Sequence, residues 1–150
     1  MGEGRRIGEL LRAAGLVSDT QLAAALDEHH RGEGRLGEVL VRRALISETQ
    51  LTQILSNQLS VAWVSLQHVE FTDELLVLVP AEIAAQYTLL PVHFRIGDRK
   101  QKILYVAMDD PTNVVAMQHV SRITGMHVRP LIAPPSEIRK QIQIRYRGRG

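Results

Sequence analysis

The sequence predicts an α+β protein: an N-terminal helical tandem repeat of four short helices, then a small α/β sandwich with a mostly antiparallel sheet. Three observations predict it. Residues 6–29 recur as residues 35–58 at a constant offset of 29. Apolar residues in both copies fall at helical spacing, three or four apart. Beyond residue 59 the pattern changes to short runs rich in β-branched and aromatic residues, bounded by glycine, proline and aspartate. We therefore divide the chain at 1–58 and 59–150.

The copies match position by position. Arg6, Ile7, Gly8 and Leu11 recur as Arg35, Leu36, Gly37 and Leu40. Leu16, Val17 and Ser18 recur as Leu45, Ile46 and Ser47, and Gln21, Leu22 and Leu26 as Gln50, Leu51 and Leu55. Gln58 closes the second copy; His29 stands in that place in the first. In the first copy, residues 6–13 read as a helix stopped by Gly15, a residue that takes positive φ at no steric cost. Ser18 with Gln21 three residues on is a capping-box pattern, in which side chains and end N–H groups satisfy one another. Leu22, Ala25, Leu26 and His29 continue that second helix. Arg31-Gly32-Glu33-Gly34 is a turn. The second copy repeats the scheme: a helix over 36–43, a break near Ala44, and Ser47 with Gln50 opening the fourth helix. Asp27 and Glu28 read as a solvated helix face. Neither hairpin can bury its apolar side alone, so the copies should pack on each other or on the second half of the chain.

In the second half, Val61–Ser65 reads as a strand and Pro80 as the first turn of a helix through Tyr87, where a missing N–H costs nothing. Leu89–Arg95 and Ile103–Met108 are a strand pair around the Gly97-Asp98 turn. Asp110-Pro111 opens a helix to Thr124, ended by Gly125, with Asp110 as its N-cap. His127–Ile132 is a further strand, and Pro134 or Pro135 starts a last helix to about Tyr146.

Composition excludes several functions. With no cysteine, disulfides and cysteine-based metal or redox sites are out. The six histidines are scattered, and the adjacent pair His29–His30 cannot share a helix face, so no metal site is expected. The start of the chain lacks the apolar core of a signal peptide. No apolar run approaches the roughly 20 residues of a membrane span, so the expected setting is cytoplasmic. Residues 1–58 carry seven Arg or Lys against eight Asp or Glu, and residues 59–150 eleven against eight. That weak excess, gathered near the tail, does not make the basic stripe of a DNA-binding protein. There is no Gly-x-x-x-x-Gly-Lys-Ser/Thr phosphate loop and no catalytic triad, so no enzymatic activity is expected of this chain.

The chemistry lies in the repeat. Leucines at helical spacing ordinarily make a core, but an arginine and a glycine at the start of each copy do not serve one. A glycine beside an arginine at a helix start frees backbone N–H groups and admits a ligand closely. Arginine can present a bidentate fork to a phosphate or to the O6/N7 edge of guanine. Leu11, Leu22 and Leu26 would offer an apolar surface to one purine, and Leu40, Leu51 and Leu55 to a second. The glutamine closing the second copy can both donate and accept. Two half-sites in tandem suit a ligand with two similar halves.

The pattern Arg-Leu-Gly-x-x-Leu, ten residues, then Leu-x-x-x-Leu-x-x-Gln resembles the cyclic di-GMP-binding motif in the N-terminal domain of type II secretion and type IV or MSHA pilus assembly ATPases. In that family the motif occurs twice, separated by five residues. Here the five are His30 to Gly34. Phe71-Thr-Asp-Glu-Leu75, Val79-Pro-Ala-Glu82, Leu90-Pro-Val92 and Val106-Ala-Met-Asp-Asp-Pro-Thr-Asn113 resemble the same family. The resemblance implies that cyclic di-GMP lies along both motifs. Its contacts would be Arg6, Ile7, Gly8, Leu11, Leu22, Leu26 and His29 from the first, and Arg35, Leu36, Gly37, Leu40, Leu51, Leu55 and Gln58 from the second. Asp109 could accept from a guanine N1–H and N2–H. Ile7 for leucine is a mild change in volume. His29 for glutamine is not, so the first half-site should bind more weakly and could respond to pH.

The resemblance further implies a motor ATPase, on the same or a separate chain, and inner-membrane platform proteins through which the module would be peripheral to that membrane. A rival expectation keeps the fold as a protein–protein adaptor with weak or no nucleotide binding, and the His29 substitution favours it.

Overall fold

The computed structural model describes the backbone from Gly2 to Tyr146 and side chains from Gly8 to Tyr146. These residues form two compact units that meet at the Ser60–Val61 bond.

Unit 1 contains helices α1 (Gly2–Ala13), α2 (Asp19–His30), α3 (Leu36–Arg42) and α4 (Glu48–Leu59). Both capping boxes form. The Ser18 hydroxyl accepts from the Gln21 amide at 3.1 Å while Gln21 accepts from the Ser18 amide at 2.9 Å. Ser47 and Gln50 repeat this at 3.0 and 2.9 Å. Each box satisfies helix-end donors that otherwise lack partners, which is why α2 and α4 start where they do. Gly15 ends the first segment with φ +75°, and its counterpart Ala44 takes the same left-handed region at φ +58° without being a glycine. Helix α1 packs against α2, α3 and α4. Leu11, Val17, Leu22, Ala25, Leu36, Val39, Leu40, Ile46, Leu51 and Leu55 are buried.

Unit 2 begins with a single bridge rather than the expected strand over 61–65. Only Trp63 pairs, with Ile132, through backbone bonds from Val64 to Ile132 and from Ile132 to Ala62. The chain then turns away into a 3₁₀ turn at Leu66–His68, so pairing cannot extend. Helices α5 (Asp73–Leu76) and α6 (Ala81–Tyr87) come next, with Pro80 as the α6 N-cap. Strands β1 (Leu89–Ile96), β2 (Lys102–Met108) and β3 (His127–Ile132) form one sheet in that order. β1 and β2 are the predicted antiparallel hairpin, from Leu89↔Met108 to Ile96↔Lys102, with an irregularity between Pro91 and His93. β3 runs parallel to β2, from Ile103↔His127 to Met108↔Ile132. A parallel pair needs a crossover, and helix α7 (Val114–Thr124) makes it.

α7 starts later than the sequence indicates. Its cap is Asn113, whose side chain accepts from the Ala116 amide at 3.1 Å. Asp110 instead closes a local turn, accepting from the Thr112 amide at 3.0 Å and hydroxyl at 2.5 Å. Its side chain prefers the donors two residues ahead, as aspartates in turns do. Gly125 ends α7 with φ +71°. Helix α8 (Pro135–Arg145) closes the unit. Leu66, Leu76, Val79, Leu89, Leu104, Val106, Met108, Val120, Ile138 and Tyr146 belong to its core. The Tyr146 hydroxyl donates to the Val79 carbonyl at 2.9 Å in buried surroundings. Tyr146→Phe strands that carbonyl, and a loss of about 1 kcal/mol is the expected reading in urea unfolding of the whole chain.

Candidate functional site

The two copies of the repeat share their local geometry. A Cβ built on Gly8 would lie 2.7 Å from Leu22 Cδ1, and one on Gly37 would lie 2.8 Å from Leu51 Cδ2. Each glycine therefore lets the two helices of its own hairpin close on a leucine. Gly8 lies well inside α1, which starts at Gly2, so the expected position at a helix start applies to Gly37 alone.

Leu11 and Leu40 are 0% exposed, Leu22 and Leu51 8%; Leu36 and Leu55 are also buried, while Leu26 is half-buried. The leucines are thus core first, with only fringes of surface at Leu22, Leu26, Leu51 and Leu55. The side chains of Arg6 and Ile7 lie outside the described residues. Gln58 is exposed near the end of α4. Asp109 belongs to unit 2, comes directly after β2 and is half-buried.

Arg35 is the N-cap of α3 in extended conformation, and its side chain makes no capping bond. Its Nε donates instead to Glu38 Oε1 at 3.1 Å. His29 Nδ1 donates to the Gly34 carbonyl at 2.9 Å, which requires the Nδ1–H tautomer or the protonated ring.

Glu28 corrects the sequence reading. Its side chain is only 15% exposed: Oε2 accepts from Arg42 Nη2 at 3.1 Å, and Oε1 pairs with the Arg43 guanidinium. Asp27, beside it, does sit on a solvated face, in an exposed pair with Arg31. No spacing rule could have found the Glu28 contacts, because the partners lie 14 and 15 residues away on another helix.

Hydrogen bonds first from Arg43 and then from Arg42 hold the Glu28 carboxyl below its ordinary value of 4.5. A depressed carboxylate contributes stability above its unfolded pKa and loses it as pH falls through the folded one. Unit 1 is therefore expected to weaken with acid below about pH 4.5. Glu28→Gln should flatten that part of the pH–melting curve; an unchanged curve would count against the clasp.

No group of three or more metal-binding side chains gathers among the described residues, and no helix among them is long and apolar enough to cross a membrane.

The MshEN domain family matches residues 59–150, the whole of the sheet-bearing unit. The chain belongs to that family. The chain is 33% identical over 145 residues to the type IV pilus assembly ATPase PilB of Myxococcus xanthus, covering 97% of this chain and 25% of that protein. To PilB of Thermus thermophilus it is 32% identical over 126 residues, covering 84% of this chain and 14% of that protein. The chain thus spans a quarter or less of these relatives' length. Among solved structures it is similar to MshE with cyclic di-GMP, at 29% identity and a TM-score of 0.74, covering 92% of this chain and 96% of that one. It is also similar to the N-terminal domain of XpsE, at 25% identity and a TM-score of 0.74, covering 93% and 92%.

Proposed function

We propose that this chain is a cyclic di-GMP-binding regulatory module of a secretion or pilus assembly ATPase. The observation that carries the reading is the repeat itself: two in-register motifs, five residues apart, each with the same capping box and the same glycine–leucine contact. The likeness to MshE with cyclic di-GMP supports it.

In this reading the ligand lies along both motifs. Arg6 and Arg35 contact guanine or phosphate. Leu22, Leu26, Leu51 and Leu55 pack against the bases, above a floor formed by Leu11, Leu40 and Leu36. Gly8 and Gly37 keep that floor close to the leucines. Gln58 and the remaining nitrogen of His29 hydrogen-bond. The module itself is not the motor; it acts on one, from the cytoplasm, beside inner-membrane platform proteins, without DNA.

Thermal melting of the chain with cyclic di-GMP tests this. A ligand that binds only the folded state stabilises it by about 2.7 kcal/mol at 100 times its Kd, so the melting temperature should climb with concentration. A flat melting curve up to millimolar ligand would favour the second reading, a docking adaptor of the same family. Histidine at position 29, where the second copy closes on Gln58, is the observation on that side.

A further inference from the structure

The five residues between the motifs contain two glycines in left-handed conformation, Gly32 at φ +82° and Gly34 at φ +124°. Such a segment is loose on its own, because glycine has the most backbone freedom to lose. Yet two successive carbonyls in it are held from opposite sides. The Glu33 carbonyl accepts from Arg42 Nη2 on α3 at 2.9 Å. The Gly34 carbonyl accepts from His29 Nδ1 on α2 at 2.9 Å. Arg42 is in turn gripped by Glu28, which also takes Arg43 Nε at 2.5 Å. Glu28 and His29 therefore tie the end of α2 both to the linker and to the end of α3.

Among the described residues this network has no counterpart elsewhere in the repeat. At the repeat offset, Glu28 and His29 correspond to Asn57 and Gln58, and Arg42 and Arg43 correspond to Ala13 and Ala14. None of those residues can rebuild the ion pair. The capping boxes and glycine–leucine contacts, by contrast, are present in both copies. The shared devices shape each half-site; the unshared one sets one half-site against the other.

We infer that Glu28 and His29 are positioning residues that lock the linker and so fix the register between the two half-sites. Resting on the nucleotide reading above, this makes the lock a determinant of affinity for a dinucleotide closed into a ring. A cyclic ligand has a set distance between its guanines and needs both half-sites in register. The linear dinucleotide pGpG can flex to track a displaced half-site, so it is nearly blind to the lock. The inference also gives position 29 a duty that glutamine cannot copy. An asparagine amide nitrogen sits where histidine places Nδ1, whereas a glutamine nitrogen reaches beyond it.

The test uses the whole chain with Glu28→Gln, Arg42→Gln, His29→Asn and His29→Gln. Amide hydrogen exchange at residues 31–35 reads the lock with no ligand present. Calorimetry with cyclic di-GMP and with pGpG reads its consequence. Glu28→Gln and Arg42→Gln should speed exchange and lower cyclic di-GMP affinity about tenfold, with pGpG affinity falling less than about threefold; His29→Gln should speed exchange. His29→Asn should keep exchange near native. Equal losses on the two ligands would overturn the inference, since they mark a general loss of fold. Native exchange in Glu28→Gln and Arg42→Gln would overturn it too. Failure of the unaltered chain to bind either ligand would sink the nucleotide reading and the affinity clause with it, and exchange would then decide the lock alone.

Discussion

Arg35→Ala is expected to weaken cyclic di-GMP binding between about tenfold and a hundredfold, while hardly moving the melting temperature of the free chain. A hydrogen bond to a charged group contributes about 1.5–3 kcal/mol, and each 1.4 kcal/mol is about a tenfold change in Kd. The Glu38 carboxylate holds Nε and so sets the plane of the guanidinium before any ligand arrives, which spares part of the ordering cost. Stability is little affected because the side chain does not cap α3, and an exposed ion pair of this kind is worth little. Arg35→Lys should fall between, since it keeps the charge and loses the fork. Titration calorimetry with parallel melting separates these effects. Native affinity in Arg35→Ala would remove the residue from the site.

Gly37→Ala should destabilise unit 1 by about 1–3 kcal/mol, the usual cost of overfilling a packed interior. This runs against local propensity, which favours alanine over glycine in a helix by about 1 kcal/mol. Packing decides, because the added Cβ would meet Leu51 Cδ2 at 2.8 Å and Leu51 is itself buried. Leu51→Ala alone should cost about 2–5 kcal/mol. The double variant should cost clearly less than the sum, because the truncated leucine makes the room that the new methyl needs. Urea unfolding of the four proteins completes the cycle. If Gly37→Ala melts above the native chain, the close approach is softer than its distance implies. Gly8 and Leu22 allow the same cycle in the first copy.

The features legible in the sequence are those that depend on near neighbours. Both capping boxes, the glycine stops, the β1–β2 hairpin and the last helix arise from residues within a few positions of one another. The misreadings share the opposite property. Val61–Ser65 has strand composition, but among the described residues it meets the sheet only at the Trp63–Ile132 bridge, at the end of β3. Asp110 and Asn113 are both good caps, and the nearby Thr112 donors settle which of them begins the helix. Ala44 reads as a mere break, though it adopts the backbone of Gly15 and carries a methyl there. At the candidate site, the repeated arginine, glycine and leucines stand out because they recur. Glu28 does not, because it has no counterpart to recur with and its partners are distant in sequence. The two glycines also illustrate a limit of pattern: recurrence marks them as special, but only the opposing leucine shows that helix packing demands them.

The hydroxyl of Tyr146 that grips Val79 across 67 residues has a bearing on how the chain is made. A ribosome releases the N-terminus first, and the capped hairpins of the repeat need only neighbours already released. The sheet-bearing unit is different. Its parallel strand and its closing helix come last, and its anchoring bond reaches back over most of the unit. Long loop closure slows such folding. Synthesis should therefore pass through a stage in which the repeat is built and the second unit still waits for its final residues.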